Sequence, residues 1–302
     1  MTRRVAAIDL GTNSTRLLVA DADDGRLKEV ERLLAITRLG EGVDTSRGLA
    51  EPAVARVDAQ VGRYIDRARE LGAETVLAIA TSAVRDAANG GEFLAGLERR
   101  HGIRTMLLAG EDEARMTFRG VTSARPLSGE AVICDIGGGS TELIAGDPQG
   151  VDYAVSLDMG CVRMSERSLR ADPPTGEEIA ALRRQVAEML PTDVPAGELI
   201  GVAGTVTTLA TIDLGLDEEI PERVDGHRLG RARVSAELER LAAIPLAERR
   251  RVRGLMPERA PTIVAGAAIL AELLRAAKTS EVTVSERDIL HGAALEAAEL
   301  PR

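Results

Sequence analysis

A thirteen-residue segment of this chain occurs twice. Asp9-Leu10-Gly11-Thr12-Asn13-Ser14-Thr15-Arg16-Leu17-Leu18-Val19-Ala20-Asp21 returns as Asp135-Ile136-Gly137-Gly138-Gly139-Ser140-Thr141-Glu142-Leu143-Ile144-Ala145-Gly146-Asp147, with six identical positions. Each copy follows an apolar run, Val5-Ala6-Ala7-Ile8 or Ala131-Val132-Ile133-Cys134, and continues into a second one. That pattern reads as strand, tight Gly/Ser/Thr/Asn turn, strand. Glycine permits positive φ and close backbone approach, so successive N–H groups can point into one concavity and hold an anion. Gly11, Thr12, Asn13 and Ser14, with Gly137, Gly138, Gly139 and Ser140, are therefore candidate phosphate cradles. An acid at the end of the first strand can hold a divalent cation beside the anion. Asp135 is the candidate, with Glu142 across the turn sharing its mouth, and Asp9 is the equivalent acid of the first copy. One such hairpin alone is better read as a plain turn closed by its own Asp. Two matched copies, facing each other across a cleft, would clamp a phosphate chain and its metal from both sides.

Other elements must hold these groups in place. Strands are expected at 5–9, 15–21, near 27–36, at 74–80 and at 105–109, with helices at 53–71, 91–101 and 111–121. In the second half, strands at 153–157, 199–202 and 281–285 follow the hairpin. Helices are expected at 165–169, 177–190, 231–241, 261–277 and 289–300, and Ala203-Gly204-Thr205-Val206-Thr207-Thr208 opens another. Asp172-Pro173-Pro174-Thr175 should break the chain and cap the helix after it. The order β-β-β-α-β-α, given twice, is a duplicated α/β architecture in which each half holds a mixed sheet with helices on both faces. Arg125-Pro126-Leu127-Ser128-Gly129 is the linker candidate. It separates an N-terminal domain, 1–125, from a C-terminal domain, 126–302, whose last helix is free to pack back on the first. The ligand is expected between the halves.

Composition sets outer bounds. The 302 residues are enough for two cores. A net charge of −10 argues against a broad nucleic-acid surface, and it means that a polyanion must be held by local N–H groups, metal and a few arginines. No apolar run approaches the ~18 residues of a membrane span, and the start has no signal-peptide pattern. Two cysteines, Cys134 and Cys161, are too few for a disulfide scaffold, so a cytoplasmic protein is the default expectation.

These motifs resemble the actin-like ATPase superfamily and, within it, the exopolyphosphatase/guanosine pentaphosphatase (Ppx/GppA) family. The resemblance runs essentially end to end through five blocks. They are Ala7-Ile8-Asp9-Leu10-Gly11-Thr12-Asn13-Ser14, Ala80-Thr81-Ser82-Ala83-Val84-Arg85-Asp86-Ala87, Gly110-Glu111-Asp112-Glu113-Ala114-Arg115, Asp135-Ile136-Gly137-Gly138-Gly139-Ser140-Thr141-Glu142 and Gly201-Val202-Ala203-Gly204-Thr205. The implied fold is a duplicated actin-like ATPase (ribonuclease H-like) fold with a central cleft. The implied activity is removal of terminal phosphate from inorganic polyphosphate or guanosine pentaphosphate, usually with Mg²⁺, or Mn²⁺ in its place. Some members add a helical HD-type domain. Here none of His101, His227 and His291 is followed by Asp, so a short two-domain form is expected, with a preference for short chains.

The resemblance assigns roles to further residues. Glu113, 22 positions before Asp135, takes the position of the catalytic base. Its neighbours Glu111 and Asp112, together with partial burial, would raise its pKa, although three acids at a helix start also have a purely electrostatic use. Arg85 takes the position of a phosphate-contacting arginine. Gly204 and Thr205, opening a helix, offer N–H groups to a distal phosphate, or an ordinary cap. Arg249, Arg250, Arg251 and Arg253 could guide a polymer, but such a run more often forms a solvated face. Met256-Pro257-Glu258-Arg259-Ala260-Pro261 looks like the family's Arg-x-Pro loop, read here as the start of a helix.

The leading expectation is a metal-dependent exopolyphosphatase using direct water attack. Only four aromatics, Tyr64, Phe93, Phe118 and Tyr153, are available to stack a guanine, which tilts the reading from guanosine pentaphosphate toward polyphosphate. A kinase of the same superfamily and a phosphate-chain sensor without turnover are the other classes. The expected partner is the phosphate chain itself, with no nucleic acid and no membrane, and a homodimer is left open.

Overall fold

The computed structural model describes residues 2–125 and 127–301, so Pro126 of the expected linker lies outside the described residues. The chain divides into two units, Met1–Pro126 with Arg287–Arg302, and Leu127–Glu286. The span 126–302 is thus divided, because its last helix belongs with the first unit.

The first unit runs β1 (Arg3–Leu10), β2 (Ser14–Asp23), β3 (Arg26–Ile36), α1 (Val43–Ser46), α2 (Glu51–Glu70), β4 (Thr75–Ala80), α3 (Ser82–Arg85), α4 (Gly90–His101), β5 (Arg104–Leu107) and α5 (Gly110–Thr122). The second runs β6 (Ala131–Ile136), β7 (Thr141–Asp147), β8 (Gly150–Leu157), α6 (Cys161–Ser168), α7 (Gly176–Met189), β9 (Glu198–Val202), α8 (Ala203–Asp213), α9 (Pro221–Val224), β10 (Arg228–Gly230), α10 (Arg231–Ala242), α11 (Leu246–Arg249), α12 (Ile263–Ala276) and β11 (Glu281–Val284). Helix α13 (Ile289–Glu299) returns to the first unit.

The first sheet has the order β3-β2-β1-β4-β5, and the second, read from its far edge, has β8-β7-β6-β9-β11-β10. In both, the first three strands form an antiparallel meander, and β4 or β9 then joins parallel to the first strand. The duplication reaches the irregularities. The β2–β3 register shifts between Val19 and Ala20, and the β7–β8 register shifts between Ala145 and Gly146, the matching place in the repeat. Only β10 breaks the correspondence. The duplicated α/β architecture expected from the sequence is thus present.

Strand β1 is almost wholly buried, and its side chains alternate between two cores. Ala6, Ile8 and Leu10 pack with Val57, Val61 and Ile65 of α2 and Leu97 of α4. Val5 and Ala7 pack on the other face with Leu290, Ala293 and Ala294 of α13. Without α13 that face of the sheet would lie bare, which is why the end of the chain returns to the first unit. The second unit has one large core that includes Cys134, Ile136, Leu143, Val206 and most of α12. Thr175 caps α7 in a reciprocal box with Glu178, at the place the Asp-Pro-Pro-Thr run points to.

Candidate active site

The two hairpin turns are built alike. Gly11 N–H donates to the Ser14 carbonyl at 3.0 Å, and Gly137 N–H donates to the Ser140 carbonyl at 3.1 Å. Each turn is held from behind through its carbonyls. Thr12 O accepts Gly40 N–H, and Asn13 O accepts the N–H groups of Thr37 and Arg38. In the second turn Gly137 O accepts Cys161 N–H, and Gly138 O accepts Val162 and Arg163 N–H. The buried Arg163 Nε adds a bond to Gly139 O at 2.7 Å. Such closeness needs a glycine at 160, where a Cβ would stand 2.2 Å from the Gly138 carbonyl carbon. With the carbonyls engaged, the N–H groups of Thr12, Asn13, Gly138 and Gly139 have no acceptor among the described residues. That is the arrangement an anion nest requires.

In the first unit, Glu113 lies in the first turn of α5 and is only 6% exposed. Arg85, at the end of α3, directs Nη1 to Glu113 Oε2 at 2.9 Å and to the Leu108 carbonyl at 2.9 Å. Burial raises the Glu113 pKa to about 7 against the pull of Arg85, and Asp9 and Asp86 add to the rise. The sequence neighbours Glu111 and Asp112 are exposed and are not the cause. Arg85 thus turns inward onto a buried carboxyl.

Asp9, expected as a metal acid, has a different neighbour. The β1–β2 register sets it opposite Arg16, which donates to Asp9 Oδ2 from Nε at 2.9 Å and from Nη2 at 2.7 Å. Arg16 Nη1 bonds Asp288 Oδ2 in the residue before α13. The two acids share this cation unequally. Burial pushes Asp9 above the usual carboxylate range, and Arg16 only partly offsets it. Burial would raise Asp288 too, but Arg16 and His291 outweigh it and hold that carboxyl well below the range. Sequence reasoning passed over Arg16, although it stands in the repeat where the other copy has Glu142.

In the second unit that register sets Asp135 opposite Glu142. Directly opposed residues of an antiparallel pair have Cβ atoms about 4.5–5.5 Å apart on one face. The two acids are 6% and 1% exposed, and Ser156 Oγ donates to Glu142 Oε1 at 2.7 Å. Among the described residues no group of three or more His, Cys, Asp or Glu could hold a metal. Two carboxylates with waters and substrate oxygens would complete the shell that Mg²⁺ prefers.

At the start of α8, Ala203 has φ 67°, a left-handed conformation that costs a non-glycine residue energy. Gly204 follows, and its carbonyl accepts Arg259 Nη1 at 2.7 Å; the same nitrogen bonds Thr208 Oγ1 at 2.8 Å. A Cβ on residue 204 would lie 2.6 Å from that guanidinium. The Arg-x-Pro loop thus delivers an arginine to the helix start beside the buried Thr205, a role its reading as a helix opening left out. Cys161 and Cys134 are buried thiols whose pKa burial pushes up, to about 12 for Cys134, so both act as small hydrophobes. The arginine run is neither a patch nor a uniform solvated face. Arg249 is buried and bonds the carbonyls of Leu241, Ile244 and Ala260, while Arg253 pairs with Asp217 at 2.6 Å.

Anion nests, buried acids and a carboxyl poised near neutrality are the parts of a phosphoanhydride hydrolase. The family model for the Ppx/GppA phosphatase family matches residues 18–299. The chain is 37% identical over 315 aligned positions to exopolyphosphatase 2 of Mycobacterium tuberculosis, covering 98% of each chain. It is 29% identical to a guanosine-5'-triphosphate,3'-diphosphate pyrophosphatase of Vibrio atlanticus, covering 96% of this chain and 58% of that one. A crystal structure of an exopolyphosphatase-like protein superposes with a TM-score of 0.91 at 33% identity, over 98% of this chain and 97% of that one. The Aquifex aeolicus Ppx/GppA family member superposes at 0.82 and 30%, over 99% and 98%. The chain belongs to the Ppx/GppA phosphatase family.

Proposed function

We propose that the protein is an exopolyphosphatase that removes the terminal phosphate of inorganic polyphosphate by direct attack of water, with Glu113 as general base. The observation that carries the reading is the buried Glu113–Arg85 pair, in which the carboxyl has a pKa of about 7. A base matched to the working pH is the efficient one, and such a base contributes about 10²–10⁴ in rate. Water oxygen forms the new bond to the terminal phosphorus, and the water proton passes to Glu113. The bridging P–O bond breaks, and the shortened chain leaves with the electron pair. Arg85 keeps Glu113 in place through Nη1 and has Nε and Nη2 left for phosphoryl oxygens. The N–H groups of Thr12, Asn13, Gly138 and Gly139, and those opening α8 at Gly204 and Thr205, hold phosphates. Asp135 and Glu142 would hold Mg²⁺ or Mn²⁺, because they are hard oxygen donors set directly across the strand pair beside the second turn. The ion supplies neutralisation of charge on the phosphoryl oxygens. Asp9 is left out of that set, since Arg16 already neutralises it from within the chain.

The test is phosphate release with Mg²⁺ from short polyphosphate, guanosine pentaphosphate and ATP in parallel, for wild type and Glu113→Gln. Release from polyphosphate that is lost in the variant supports substrate class and base together. Release mainly from guanosine pentaphosphate would move the assignment to that nucleotide. Release from none of them would overturn it.

A further inference from the structure

Helix α13 covers one face of the first sheet, but its N-terminus does something that covering does not require. Asp288 caps the helix through Oδ1, which accepts Leu290 N–H at 3.0 Å. Serine or threonine would cap as well. The second carboxylate oxygen, Oδ2, is spent on Arg16 Nη1, and Arg16 directs its Nε and Nη2 at Asp9. Behind Asp288 stands His291, fully buried, with Nδ1 accepting the Asp288 N–H at 3.3 Å and Nε2 meeting Glu29 Oε1 at 3.0 Å. A line of polar groups therefore runs from Glu29 on β3 through His291, Asp288 and Arg16 to Asp9 at the mouth of the first nest.

The helix that delivers Asp288 is also registered against the helix that delivers Glu113. A Cβ on Gly120 of α5 would stand 1.9 Å from the Asp288 carbonyl oxygen, and a Cβ on Gly292 of α13 would stand 2.0 Å from the Met116 carbonyl oxygen. The two backbones are in direct contact at matching glycines. The Asp288 and Glu113 positions are thereby fixed to one reference, with α5 carrying the base and α13 the anchor.

We propose that Asp288 is a positioning residue of the active site, acting through Arg16 to fix Asp9 beside Glu113. The proposal deepens the reading above and takes Glu113 as the base from it. An arginine bonded only to Asp9 can swing about that one carboxylate, carrying the acid with it; a second anchor on the far side removes that freedom. Displacement of about 1 Å at a catalytic constellation can cost about 10² in rate.

Asp288→Asn and Asp288→Ser both keep a capping oxygen and remove the charge facing Arg16. The expected result is a kcat about 10–100-fold lower on short polyphosphate, with KM within about twofold, because binding through the nests is unchanged. Asp288→Glu, which keeps the carboxylate, should recover part of kcat. In an Arg16→Lys background, adding Asp288→Asn should lower kcat no further. Wild-type kcat and KM in Asp288→Asn, or equal losses in both backgrounds, would overturn the proposal and leave Asp288 a helix cap. A crystal structure of Asp288→Asn gives a readout that does not depend on turnover. Arg16 and Asp9 should shift together relative to Glu113, and an unmoved Arg16–Asp9 pair overturns the proposal even if the wild type releases phosphate from no substrate, the result that would instead sink the exopolyphosphatase reading.

Discussion

Replacing Glu113 with Gln should make the protein less active and more stable, and the gain in stability should depend on pH. A carboxyl whose folded pKa lies above its unfolded value binds its proton more tightly in the folded state. At Glu113 the ordinary value of 4.5 is raised to about 7, chiefly by burial. The fold therefore carries no penalty from this group below about pH 4.5, loses stability as pH rises between the two values, and bears the full penalty above about pH 7. At about 1.4 kcal/mol per tenfold, that penalty is about 3 kcal/mol, with the Arg85 pairing already counted in it. Glutamine has the shape of the protonated acid and can still accept from Arg85 Nη1. Urea denaturation should find Glu113→Gln close to wild type at about pH 5 and about 2–3 kcal/mol more stable at about pH 8. Phosphate release should fall by about 10²–10⁴ in the same variant. A stability difference that is the same at both pH values would refute the assignment of a raised pKa, and a wild-type kcat would refute the base.

If Glu113 must be ionised to act, kcat/KM of the wild type should rise tenfold per pH unit up to an inflection near pH 7, then level, and the residual activity of Glu113→Gln should lack that limb. Asp135→Asn should raise the Mg²⁺ concentration for half-maximal phosphate release at least about tenfold; an unchanged titration would remove Asp135 from the metal site. Glu142→Arg would recreate in the second hairpin the acid–arginine pair of the first. Mg²⁺ should then no longer raise the melting temperature, whereas at ten times its Kd it should add about 1.4 kcal/mol to the wild type. Gly292→Ala should lower stability by about 1–3 kcal/mol in urea, since its methyl would meet the Met116 carbonyl and push α13 from α5, outweighing the usual helix gain of Ala over Gly.

The hairpins, the order of elements along the chain and the cap at Thr175 were legible because each rests on local chemistry: glycine-rich turns between apolar runs, and an Asp-Pro-Pro-Thr break. Strand β10 and the four-residue helices were not, because three or four residues carry no period. Helix α6 begins at Cys161, four residues ahead of the expected start, because Gly137 and Gly138 accept the first N–H groups of its opening turn. At the site, Glu113 and Arg85 were legible as individual residues, but their contact was not. It joins positions 28 apart through α3 and the start of α5, and no local pattern encodes it. Asp288 is further off still, 272 positions from Arg16. Arg249 shows the reverse failure: the sequence presents it as one of a basic run, yet the fold turns it inward onto three carbonyls.

The repeat is more faithful in its backbone than in its charge, and the departure is informative. Both hairpins close with the same Gly-to-Ser hydrogen bond, at 3.0 and 3.1 Å, and both bulge at the same place. Both put an aspartate at the end of the first strand. Directly across from it, one copy has Arg16 and the other has Glu142. In a buried, low-dielectric setting these are opposite situations. An aspartate beside an arginine is neutralised by the chain, and the residue before α13, Asp288, supplies a second acid to hold that arginine. In the second copy two acids face each other across the strand pair. The duplicated hairpin has thus kept its backbone while one copy sets an arginine, and the other a glutamate, across from its aspartate.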